Sequence, residues 1–135
     1  FRSTKFLLLT VIFASSARAE WVPYANNSDR SMFLYYETLS VKKSSNVFSI
    51  QILKNFVEPK KVVLEGKTIV YKSVTDKQLI DCSKNLYRNT EIIFFEEWSA
   101  SGKELYKSII DKVRWYEIKS NSVQEGLITK VCFSV

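Results

Sequence analysis

Residues Ser122-Val123-Gln124-Glu125-Gly126-Leu127-Ile128-Thr129-Lys130-Val131-Cys132 decide the fold class of this chain. A serine followed three positions later by a glutamate fits a capping box, in which the two side chains satisfy free N–H groups of the first helical turn. Val123, Leu127, Ile128, Val131 and Cys132 recur at spacings of three and four and form one apolar stripe. The spacing predicts a short helix that turns this stripe, Cys132 included, toward a core. A helix of ~10 residues is marginal alone in water, so packing must hold it down. The alternative is a strand, because Val131-Cys132-Phe133-Ser134-Val135 is also β-prone.

Upstream the period changes to two. Residues 32–37 form an aromatic and aliphatic run, and residues 46–56 alternate with Phe48, Ile50 and Ile52 on one face. Glu58-Pro59-Lys60-Lys61 is expected to break that strand before Val62-Val63-Leu64 and the turn Glu65-Gly66-Lys67. Residues 68–80 alternate again, and residues 91–98 are strongly β-prone. Ser99-Ala100-Ser101-Gly102-Lys103 reads as a hairpin turn into residues 104–110, and residues 113–118 as a last extended piece. The expected architecture is α+β, a small sheet followed by one C-terminal helix.

The chain has 135 residues, room for one domain and not two. It contains no histidine, which removes Ser-His-Asp triads, Cys-His nucleophiles and histidine metal sites. With three glycines it has no phosphate-cradling loop. No enzyme activity, cofactor or metal is expected. Aromatic residues make up 14%, a share usually spent on sheet faces and binding surfaces.

The first residues carry a different message. Arg2 and Lys5 precede the apolar run 6–14, and Ala17-Arg18-Ala19 closes the segment. This order predicts a secretory signal peptide over residues 1–19, with residues 20–135 as a single domain. Its apolar run is far shorter than the ~20 residues of a membrane span. Without Arg2, Lys5 and Arg18, 17 Lys and Arg face 14 Asp and Glu, a net charge of +3 rather than +6. That is mild basicity and not a nucleic-acid footprint. Two cysteines, Cys82 and Cys132, in an exported chain read as one disulfide, with two buried free thiols as the alternative.

Several segments in order look like a known family. They are Glu20-Trp21-Val22, an aromatic strand ending at Tyr35-Tyr36-Glu37, Ile50-Gln51-Ile52-Leu53, Tyr71-Lys72-Ser73, Gln78-Leu79-Ile80-Asp81-Cys82 and Tyr87-Arg88. Gly102, Trp115 and the closing Ser122-Val123-Gln124-Glu125 to Cys132 complete the set. Together they resemble the surface-adhesin protein E family of small exported proteins of Gram-negative bacteria. Glu37 replaces the family's common Asp, and Ser120-Asn121-Ser122 its Pro-Gly-Ser, both at turns. The resemblance implies an antiparallel sheet with the C-terminal helix packed on one face and tied there by the disulfide. It also implies adhesion to host matrix glycoproteins such as vitronectin and laminin, homodimers, and a place in the periplasm or on the outer surface.

Lys84, Arg88, Lys103, Tyr106, Lys107, Lys112, Arg114 and Tyr116 form the candidate binding patch, interleaved with Tyr87 and Trp115. Such a patch suits an acidic partner, because charge steers encounter and rings supply contact area. The competing reading is a solvated sheet face over core aromatics. Trp98 and Trp115 are expected in the core, and Asp81 as a structural hydrogen-bonding acid. Glu96-Glu97 would point to opposite faces of a strand, which rules out a catalytic dyad. An alternative function is a periplasmic protein that binds or inhibits an envelope or host enzyme.

Overall fold

The computed structural model describes residues 20–38 and 41–133, so the expected signal peptide lies outside the described residues. Within them the chain forms one eight-stranded antiparallel sheet and one helix. The strands are β1 (Trp21–Asn26), β2 (Met32–Glu37), β3 (Lys42–Ser44), β4 (Val47–Leu64), β5 (Lys67–Asp81), β6 (Leu86–Glu97), β7 (Ser101–Ile109) and β8 (Tyr116–Glu117), followed by α1 (Val123–Cys132). The path across the sheet is β1-β2-β4-β5-β6-β7, with β3 alongside β4 and β8 alongside β6. β1 and β3 lack a strong alternating pattern, and neither was expected as a separate strand.

The two periods meet in the core. Phe48, Ile50 and Ile52 of β4 and Ile80 of β5 share one face of the sheet, where Leu127, Ile128 and Val131 of α1 pack on them together with Ile118. Cys82 and Cys132 are bonded, so the end of the helix is tied to the end of β5. The expected stripe is correct except at its first position: Val123 is 46% exposed at the edge of the contact. The capping box also forms with a variation. Ser122 Oγ accepts from Glu125 N at 3.1 Å, while Glu125 Oε1 reaches past the cap to Asn121 N at 3.0 Å.

The expected break at residues 58–61 does not occur. β4 runs on through Pro59, and its pairing with β5 shifts between Asn55 and Lys60. Proline cannot donate to a ladder, and an irregularity of register is where a strand can hold one. At the tip, Glu65 and Gly66 both have positive φ, 51° and 76°, as a two-residue hairpin turn requires.

The opposite face of the sheet is also covered at its centre. Leu53, Ser73 and Thr75 are buried there. The β6–β7 turn reaches across β5 to β4: Trp98 Nε1 donates to Phe56 O at 2.7 Å and Ser99 N to Asn55 Oδ1 at 2.8 Å. Ser73 Oγ on the intervening strand donates to Glu97 O and accepts from Ala100 N. Trp98 is therefore not a core residue. It is 48% exposed, with Lys72 Nζ 4.6 Å from its ring centre. Trp115 is half-buried rather than in the core.

Candidate functional site

The surface at the helix end of the sheet is built by a short return of the chain. After β7, residues 110–118 double back to lay β8 along the start of β6, which sets Leu86 opposite Glu117 and Tyr87 opposite Tyr116. Ile118 anchors the return. Its side chain is in the core, its N–H donates to Asn85 O, and its carbonyl accepts from Asn85 Nδ2. The residues just before it are thereby fixed in place. Tyr87 and Tyr116 lie 5.8 Å apart between ring centres. The Arg114 guanidinium sits 5.1 Å from the Tyr116 ring centre, and that of Arg88 sits 5.9 Å from Trp115. Both are within the ~6 Å reach of cation–π attraction.

Tyr87, Arg114, Trp115 and Tyr116 border a groove of about 470 Å³ that also takes in Glu117, Lys119 and, at the start of α1, Ser122 and Gln124, while Arg88 touches Trp115 without lining it. A smaller recess of about 200 Å³ joins Lys112 to Arg114 and Tyr116. The groove is aromatic, net positive and open. Chemically it can attract an acidic group and cover it with ring surface. Among the described residues no group of three His, Cys, Asp or Glu side chains is placed to hold a metal ion.

The residues proposed from the sequence do not form one patch. Arg88, Lys112, Arg114 and Tyr116 come together around β8. Lys103 and Lys107 lie on β7, where Lys107 Nζ pairs with Glu91 at 3.6 Å and is partly neutralised. Tyr106 belongs to a row of rings, one per strand, running Phe56, Tyr71, Phe94 and Tyr106 across β4 to β7. Burial raises the Tyr106 pKa, and the Glu65 carboxylate adds to the effect. Lys84 sits exposed in the β5–β6 turn, where its N–H donates to Asp81. Lys119 and Glu117 were not expected in the site. No periodicity marks them, because a pairing between β6 and β8 puts them there.

Asp81 is the structural acid expected. Its Oδ1 accepts from Ser83 Oγ, Ser83 N and Lys84 N. The Ser83 hydroxyl chiefly, helped by the two backbone donors and Lys84, holds its carboxyl below the usual carboxylate range.

Comparison with known proteins agrees with this architecture. The model of a family described as surface-adhesin protein E matches residues 21–133. No curated protein sequence matches the chain. A structure of Haemophilus influenzae protein E superposes with a TM-score of 0.64 at 13% identity, covering 87% of this chain and 86% of that one. A second crystal form gives 0.64 at 11% identity, covering 87% and 90%. A structure of protein E from non-typeable Haemophilus influenzae gives 0.62 at 13%, covering 86% and 77%. At such identities the superpositions establish the fold.

Proposed function

The chain belongs to the surface-adhesin protein E family, and from that premise we propose that it is an exported, non-enzymatic adhesin whose β8 groove binds acidic surfaces of host matrix glycoproteins. The observation that carries this reading is the convergence of Arg114 and Lys119 with Tyr87, Trp115 and Tyr116 in one open groove. Vitronectin and laminin are the partners the family resemblance names. Removal of residues 1–19 as a signal peptide would release the domain to the periplasm or the outer surface. Among the described residues no helix is long and apolar enough to cross a membrane.

The test is binding to immobilised vitronectin and laminin across a salt series. Affinity should fall as salt rises, since the contacts are exposed charges. Arg114→Glu combined with Lys112→Glu should weaken binding about tenfold, mainly through the association rate. Salt-independent binding, or none to either protein, sinks the matrix reading. Antibody labelling of intact cells settles the side of the membrane, and labelling only after permeabilisation redirects the search to a periplasmic enzyme partner. A homodimer joined along a free sheet edge completes the proposal. A monomer at every concentration in sedimentation removes it.

A further inference from the structure

A second concavity lies beside the groove, bounded by the first turn of α1 and the middle of the sheet. It holds about 360 Å³, within the range of small-molecule sites, roughly 300–1,000 Å³. Leu34, Ile52 and two tyrosines, Tyr24 and Tyr87, give it apolar and aromatic lining. Asp76 also lines it, with its side chain 3% exposed and Oδ2 3.1 Å from Lys54 Nζ. Among the described residues the other Asp76 oxygen has no hydrogen-bond partner, and neither does Asn89 Oδ1. Gln124 of the helix donates to Gln78 of β5 at 2.8 Å.

These features select a ligand chemistry. Lys54 and Asp76 are the charged side chains that line the cleft, and they balance each other. An anion would compete with the buried Asp76 for Lys54 and a cation would compete with Lys54 for Asp76, so the ligand that leaves the pair intact is neutral. The unmet atoms are both acceptors, so the ligand brings hydroxyl or N–H donors. A buried acceptor without a partner costs about 1–3 kcal/mol, which a donor from the ligand would recover. The glutamines and tyrosine hydroxyls can both donate and accept, and they suit a molecule that does the same at short spacing. Tyr24 keeps its proton, because burial and then the Asp76 charge raise its pKa. The rings and aliphatic side chains favour a ligand with an apolar face.

We propose that this cleft binds a neutral saccharide unit, with hydroxyls donating to Asp76 Oδ1 and Asn89 Oδ1 and the ring face against the tyrosines. Both oxygens lie below the surface of the cleft, so side chains swing aside on binding. Gln124, held among the described residues by one side-chain bond to Gln78, is placed to do so and to turn that donor to a ligand hydroxyl, while Lys54 stays paired with Asp76. Rotamer changes of this kind are common at binding sites. The site carries no net charge and does not rest on the acidic-partner reading of the groove. The saccharide has two sources, a free sugar or the terminus of a glycan chain.

The test is a titration of the ¹⁵N-labelled exported protein, disulfide intact, with glucose, galactose, mannose and N-acetylglucosamine. n-Butylammonium and acetate serve as charged controls. A sugar should shift the amide signals of Asp76, Gln78, Asn89 and Gln124 together, with an affinity indifferent to salt, while the charged probes leave them in place. Asn89→Ala and Gln124→Ala should each weaken binding about fivefold, the loss of one net hydrogen bond, with the remaining spectrum unchanged. Arg114→Glu should leave the titration as it was, which separates this result from the fate of the groove. A neutral oligosaccharide that binds more tightly than its monosaccharide assigns the ligand to a glycan terminus, and equal affinity assigns it to free sugar. The proposal is overturned if no sugar moves this cluster, if a charged probe moves it equally, or if both variants bind like the wild type.

Discussion

Ala100 has φ 58° and follows Ser99 at 60°, two non-glycine residues in the left-handed region at the tip of the β6–β7 turn. Such conformations cost roughly 1–2 kcal/mol each for a residue with a Cβ. Ala100→Gly removes that cost but frees the unfolded chain, so a net gain of about 0.5–1 kcal/mol should appear in urea unfolding. Gly102, two residues on, is the converse. At φ +74° its added Cβ would meet Glu97 Cγ at 2.8 Å, and Gly102→Ala should lose about 1–2 kcal/mol in the same measurement. Asp81 gives a pH effect of definite sign. Its folded carboxyl titrates below the usual range, so it stabilises the fold above that range and the contribution disappears as pH falls through the folded pKa. Asp29, held low chiefly by its hydrogen bond to Ser31, acts in the same direction. Stability should be level from neutral pH down to about 5 and fall below about 4, and Asp81→Asn should flatten that fall in a pH series of unfolding curves. The role of Asp81 was legible because its donors lie two and three residues away. The exposure of Trp98 was not, because its indole is held by Phe56 O, 42 residues distant.

Among the elements, α1 was the most legible, since its capping box and stripe are local patterns that the native contacts reinforce. Ser122→Ala should cost about 1 kcal/mol by removing the cap bond to Glu125 N. Circular dichroism during unfolding would check it, and an unchanged midpoint would show that packing alone holds the helix. β4 was legible only to residue 56, because a register shift, invisible in periodicity, absorbs Pro59 and carries the strand on to Leu64. Likewise β3 is a three-residue, exposed strand that exists because Lys42, Lys43 and Ser44 pair with Ser49, Phe48 and Val47. No hydrophobic pattern of its own announces it. Only part of the candidate groove was legible for the same reason: residues 114–116 are adjacent in sequence, but their meeting with Tyr87 depends on the β6–β8 pairing.

Across the whole molecule, a sheet of consecutive hairpins carries one short helix that cannot stand alone, and the groove and the cleft both open where that helix begins. The Cys82–Cys132 bond is the covalent link between these two parts, and it closes a loop spanning 50 positions. In the chain-entropy account such a closure is worth about 4 kcal/mol, chiefly by restricting the unfolded chain. The sheet has its own long ladders, β4 with β5 and β5 with β6, and these do not depend on the disulfide. The helix depends on Leu127, Ile128 and Val131 packing against β4 and β5, a small apolar contact for a ten-residue element. Reduction should therefore lower global stability by about 4 kcal/mol and loosen α1 before the sheet. Hydrogen exchange with and without reductant reads both effects. Amides of residues 126–132 should lose protection first, while those of β5 at Val74 and Asp76 keep theirs until global unfolding. Simultaneous loss in both elements would mean that helix and sheet form one cooperative unit, and the groove would then have no independent way to open at its helical edge.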